Sequence, residues 1–145
     1  MITCTRRIQF CAGHRVYGHE SKCANPHGHN YVLFVEAFAD YSDGVDDIGR
    51  VIDFSVLKQK IGGWIEENWD HGFIYFSGDP EMTKLFFGGA AYKAFELPAN
   101  PTAENMATYL LNHVCPKLLV NTPVAVRRVT LYETENCYAT AEVFR

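Results

Sequence analysis

The chain has 145 residues, of which 48% are hydrophobic, enough for one domain with a proper core and too few for two ordinary ones. A formal net charge of -4 gives no global field that favours nucleic acid, and no apolar run approaches membrane-spanning length. The opening residues Met1-Ile2-Thr3-Cys4-Thr5-Arg6-Arg7 lack the apolar core of a secretion signal, and the five scattered cysteines fit reduced thiols, so the expected location is the cytoplasm.

Residues 2–13 predict a strand in which Ile8, Phe10 and Ala12 share a face with His14 at a spacing of two. Residues 15–26 predict a loop, on Gly18, Ser21, Asn25 and Pro26. Residues 27–40 predict a long strand. Tyr31, Leu33, Val35 and Ala37 continue the face of His27 and His29, while Val32, Phe34 and Phe38 occupy the other, the pattern of a strand buried on both sides. An acidic, glycine-bearing loop follows at 41–50.

The period then changes. Asp53 caps a predicted helix to about Trp69, with Phe54, Leu57, Ile61, Trp64, Ile65 and Trp69 on one stripe. Gly62-Gly63 weakens it, and it ends at Asp70-His71-Gly72. Residues 73–101 carry little periodicity. A second short helix is expected around Met82–Ala94, interrupted by Gly88-Gly89. Asn100-Pro101-Thr102 begins another helix, with Thr102 as cap, Glu104 in its first turn and Pro116 near its end. A strand at about 123–134, a tight turn at Glu135-Asn136 and a last strand to Phe144 complete the order.

Strand pairs joined by tight connections are antiparallel, so the expected class is α+β: a single domain over 1–145 with a four-stranded antiparallel sheet, two helices on one face, and a variable excursion at about 73–99. Such a sheet has two edges to protect, which points to closure through oligomerisation.

The chemistry concentrates at Cys23-Ala24-Asn25-Pro26-His27-Gly28-His29. On an extended backbone His27 and His29 point the same way, and His14 lies on the neighbouring strand. Three imidazoles can hold a catalytic zinc and leave its fourth position open; the other reading is three histidines satisfied in a strand-rich core. Cys23 is a fourth ligand that closes the site, a thiol beside the metal whose thiolate serves as a base, or, as the residue alone favours, an ordinary loop thiol. A cupin-type metal barrel also places His-x-His on a strand, but it expects a glutamate sooner than Glu36 and a third histidine after the pair. Asp70-His71 reads either as a proton-relay pair or as a helix end where histidine is favourable. Glu133 shares an otherwise apolar strand face with Val129 and Leu131, so it requires a partner: a ligand edge with paired N–H donors, or an arginine of the protein.

Taken in order, His14, Cys23-x-x-x-His27-Gly28-His29, Val51-Ile52-Asp53-Phe54, Asp70-His71, Asn100-Pro101-Thr102-x-Glu104 and Tyr132-Glu133-Thr134 resemble the 6-pyruvoyltetrahydropterin synthase and 6-carboxytetrahydropterin synthase family. The resemblance runs from about residue 5 to residue 143. It implies a tunnelling (T-) fold whose sheets join into an oligomeric barrel, a trimer or a hexamer, with sites at subunit interfaces. It implies Zn2+ on His14, His27 and His29, acidifying the side-chain hydroxyls of a 7,8-dihydroneopterin triphosphate substrate. It implies Cys23 as general base, Asp70 and His71 as relay, Glu133 as the carboxylate gripping the pterin ring, and Thr102 and Glu104 lining the pterin pocket.

The spacing Cys-x-x-x-His-Gly-His is similar to that of the bacterial 6-carboxytetrahydropterin synthases of the queuosine pathway. A carboxy product, with acetaldehyde and triphosphate released, is therefore expected. The alternatives are a pyruvoyl synthase that eliminates triphosphate and keeps the side-chain carbons, and a non-catalytic pterin-binding or structural zinc protein. Between His71 and Asn100 the chain is longer than the shortest bacterial members.

Overall fold

The computed structural model describes residues 1–87 and 92–143. Strand β1 (Cys4–His14) runs antiparallel to β2 (His27–Ala39), which pairs antiparallel with β5 (Val124–Thr134), which pairs antiparallel with β6 (Cys137–Glu142). These four are the expected strands. Two more extend the sheet on the far side of β1: β3 (Gly72–Phe76) and β4 (Ala94–Leu97), both in parallel register, giving the order β4-β3-β1-β2-β5-β6. The four-stranded antiparallel expectation is thus corrected to a six-stranded mixed sheet. Gly72–Phe76 is a short apolar run without alternation, which periodicity does not assign, and its pairing exists only because β1 offers an edge.

Helix α1 spans 54–68. Asp53 caps it by accepting the Ser55 N–H at 2.8 Å, and a π-helical turn at Lys58–Gly62 carries the chain through the glycine pair. Between β3 and β4 lies α2 (Pro80–Phe87). The helix expected around Met82–Ala94 therefore starts earlier and gives way to β4, and its Gly88-Gly89 interruption lies outside the described residues, as does Phe144. Helix α3 spans 103–118 and contains a second π turn, Leu110–Val114, where the Cys115 N–H reaches Leu110 O. Pro116 next to it has no N–H to give, so the widened turn relieves its ring against the preceding carbonyls.

Both long helices pack on one face of the sheet. Leu57, Ile61, Ile65 and Trp69 of the first stripe and Met106, Ala107, Leu110 and Val114 of the second share one core with Tyr31, Leu33, Val35 and Ala37. The other face of β2 is only partly buried at Val32, Phe34 and Phe38, so burial on both sides is incomplete within one chain. The 73–99 segment is more than a surface excursion. Phe95 of β4 sits edge-on to Trp64, Trp69 and Tyr109, with ring centroids 5.4, 6.0 and 5.8 Å away, and closes the seam between the helices. Among the described residues no helix is long and apolar enough to cross a membrane.

Candidate metal centre

The β1–β2 register sets His14 directly opposite His27 and Ala12 opposite His29. All three imidazoles point to the helix-bearing side at the end of the sheet, with ring centroids 4.5 to 5.0 Å apart. One ring nitrogen from each lies within 4.8 Å of the others. Two backbone carbonyls orient the rings. His14 Nδ1 is 2.6 Å from Pro101 O and His27 Nδ1 is 2.6 Å from Asn25 O. A carbonyl only accepts, so each Nδ1 carries the proton and each Nε2 presents its lone pair.

The two Nε2 atoms face one another at 3.0 Å, while His29 Nε2 is buried with no hydrogen-bond partner among the described residues. Lone pairs converging on one point, with an orphaned third nitrogen beside them, are satisfied by a cation they share. The donor set fits zinc: three neutral imidazole nitrogens with room for a further ligand. Burial favours the neutral form of His14 and His29. It pushes His14 down to about 4, the Pro101 carbonyl opposing and the neighbouring histidines adding to the effect. Burial also lowers His29, against the pull of Glu133. Glu133 Oε2 stands 3.8 Å from His29 Nε2, so β5 delivers its carboxylate to the histidines within the same chain.

The remaining predicted residues lie around this cluster rather than in it. Cys23 is half-buried in the short turn Lys22–Ala24 and is not one of the three clustered ligands; its carbonyl accepts the Val16 N–H at 2.9 Å. Asp70 and His71 form a pair, His71 Nδ1 to Asp70 Oδ2 at 2.9 Å, stapled to β1 from both directions. Cys11 N–H donates to Asp70 Oδ1 at 2.9 Å, and His71 N–H donates to Cys11 O at 2.6 Å. Partial burial pushes the Asp70 carboxyl up, but the Cys11 N–H and His71 outweigh it and hold the group below its ordinary value. His71 adopts a positive φ of 59° and its side chain is 78% exposed, so the turn presents the imidazole outward. The Thr102 hydroxyl caps α3 by accepting the Asn105 N–H at 3.1 Å, and Glu104 is exposed in the first turn.

Several contributors were invisible to motif reading. The Asn25 and Pro101 carbonyls that fix the imidazoles have no sequence signature. Asn100 holds the loop after β1 with both ends of its amide, accepting the Tyr17 N–H at 2.8 Å and donating to Tyr17 O at 3.0 Å. Tyr31, whose hydroxyl lies 3.3 Å from His14 Nδ1, was detectable as the next residue on the His27–His29 face.

The sequence profile of the 6-pyruvoyl tetrahydropterin synthase family matches residues 3–143. A protein of Rickettsia felis named 6-carboxy-5,6,7,8-tetrahydropterin synthase is 45% identical over 138 residues, covering 95% of this chain and 98% of that one. Among solved structures, an uncharacterized protein from Wolinella succinogenes matches with a TM-score of 0.81 at 23% identity, over 97% of each chain. The 6-pyruvoyl tetrahydropterin synthase of Caenorhabditis elegans matches with a TM-score of 0.66 at 26% identity, over 99% of this chain and 96% of that one.

Proposed function

The chain belongs to the 6-pyruvoyl tetrahydropterin synthase family, and on that premise we propose that it is a zinc-dependent 6-carboxytetrahydropterin synthase. Its substrate is 7,8-dihydroneopterin triphosphate, and its products are 6-carboxytetrahydropterin, acetaldehyde and triphosphate, in the cytoplasmic pathway to queuosine. The observation that carries this reading is the convergence of His14, His27 and His29, with an orphaned Nε2, beside the Glu133 carboxylate. The relatives at 43% to 45% identity, all named for the carboxy product, favour it over the pyruvoyl outcome.

Bound to the three imidazoles, zinc would supply a Lewis acid for the substrate's side-chain hydroxyls. The chain's own groups do the rest. Glu133 takes the paired N–H donors of the pterin edge, fixing the ring beside the metal. Cys23, left off the metal, takes a proton from the side chain. Asp70 orients the exposed His71 imidazole through its Nδ1, leaving Nε2 free to accept or return a proton. Thr102 and Glu104 border the ring pocket. The outward-facing Asp70–His71 pair serves a site completed by a second subunit, in a homotrimer or hexamer.

One incubation with dihydroneopterin triphosphate, read by mass spectrometry, tests the proposal. Acetaldehyde and the 6-carboxy product are expected in equal amounts. A 6-pyruvoyl product without acetaldehyde assigns the second reading, which the Caenorhabditis elegans structure favours. Intact substrate in the presence of zinc-loaded protein overturns both.

A further inference from the structure

Two polar or charged residues are buried among the described ones: His14 and Asp79, each 1% exposed. The first is a candidate metal ligand. The second lies in the 73–99 segment, just before α2, and no role above uses it. Arg15 connects them. It follows His14 in sequence and reaches Asp79 with a two-pronged bond, Nε to Oδ2 and Nη2 to Oδ1, both at 2.6 Å. Asp79 Oδ1 also accepts the N–H groups of Glu81 and Met82 at 3.2 Å, so the carboxylate cannot turn without uncapping α2. Burial alone would push the Asp79 carboxyl up, but Arg15 and the helix N–H groups hold it below its ordinary value.

What this anchor fixes is the end of β1. His14 is paired with His27 on one side and with Ile74 of β3 on the other, and Arg15 is clamped immediately beyond. One residue further, the Val16 N–H bonds the Cys23 carbonyl. The path from Asp79 to the backbone of Cys23 therefore consists of one ion pair, one peptide step and one hydrogen bond.

We propose that Asp79 is a positioning residue: through Arg15 it sets the direction of His14 and the placement of the Cys23 loop, and the connection from β3 to α2 is the frame that carries it. The inference rests on the reading of the histidines as metal ligands and of Cys23 as the base. A buried carboxylate held by a planar guanidinium fixes angle as well as distance, which a point charge does not.

The test uses full-length protein carrying Asp79→Asn, which keeps the shape and removes the charge. Three readouts are taken: the visible spectrum of the cobalt(II)-substituted protein, the alkylation rate of Cys23 by iodoacetamide followed by peptide mass mapping, and kcat against KM. With the fold retained by circular dichroism, the cobalt bands shift and Cys23 alkylation rises about threefold or more. The kcat falls about ten- to a hundredfold and KM changes less. Asp79→Glu restores part of each. Glu81→Gln, which alters an exposed carboxylate 3.5 Å from Arg15 Nη1, leaves all three unchanged.

A folded Asp79→Asn protein that matches the parent in cobalt spectrum, alkylation and kcat, losing only thermal stability, overturns the proposal. So does Glu81→Gln reproducing the Asp79→Asn effects. If Asp79→Asn does not fold, Arg15→Lys replaces it, keeping the charge and losing the fork, and parent-like readouts there overturn the proposal equally. A parent protein inactive on dihydroneopterin triphosphate refutes the proposed reaction alone, because the cobalt spectrum and alkylation rate need no substrate.

Discussion

Burial keeps His14 uncharged in the fold. It is buried under the sheet end, its proton is held on Nδ1 by Pro101 O, and its Nε2 faces His27 Nε2 at 3.0 Å. In an unfolded chain the imidazole titrates near 6.5, whereas in the fold it titrates at about 4. The unfolded state therefore takes the proton first. The stability tied to neutral His14 is fully present above pH 6.5 and is lost as pH falls through 4. Thermal melts of chelator-treated protein at pH 7 and pH 4 are expected to show the parent losing more stability than His14→Leu. The difference is on the order of 3 kcal/mol; equal losses in the two proteins would count against it. At this scale most of the candidate site was legible. Histidine spacing and strand period pointed to the cluster of His14, His27 and His29, and an isolated carboxylate on an apolar strand face pointed to Glu133 beside it. The carbonyls of Asn25 and Pro101 were not legible, because every residue carries one and only the fold aims it.

Among the elements, the start of α3 carries the most responsibility. Within three residues, Asn100 clamps the Tyr17 backbone, Pro101 orients His14, and Thr102 caps the helix. Thr102→Ala removes the bond to the Asn105 N–H and is expected to cost about 1 kcal/mol in urea unfolding. Zinc content should fall at limiting metal, because Pro101 loosens with the cap; an unchanged unfolding midpoint would remove the cap from the account. Local pattern located α1, α3 and the four antiparallel strands, since each reports its burial through its own period. It did not locate β3 and β4. The five-residue apolar run of β3 and the four residues of β4 are too short to show a period, and parallel pairing needs a partner remote in sequence. Nor did it foresee that Gly62-Gly63 and Pro116 would be accommodated by π turns rather than by breaks.

At the scale of the whole molecule, the sheet is unfinished. On its outer side β1 pairs with β3 only at Ala12–His14, and residues 4–11 have no sheet partner there among the described residues. The face away from the helices carries a ladder of Phe34, Tyr132 and Tyr138, with centroids 5.9 and 4.3 Å apart. In the proposed oligomer, another copy of the chain covers this open edge and half-covered aromatic face. Light scattering at micromolar concentration is expected to give a trimer or a multiple of it, and a monomeric mass would refute subunit-shared sites.

The amino-acid sequence by itself determined the antiparallel strands, the two long helices, the histidine face and the family, because periodicity and spacing record what each segment buries against its immediate surroundings. Only the tertiary structure decided that Glu133 meets His29, that Pro101 aims His14, and that Asp79 reaches back to Arg15. Those contacts join residues 64 to 104 positions apart, and their strength comes from a shared desolvation that no local pattern encodes.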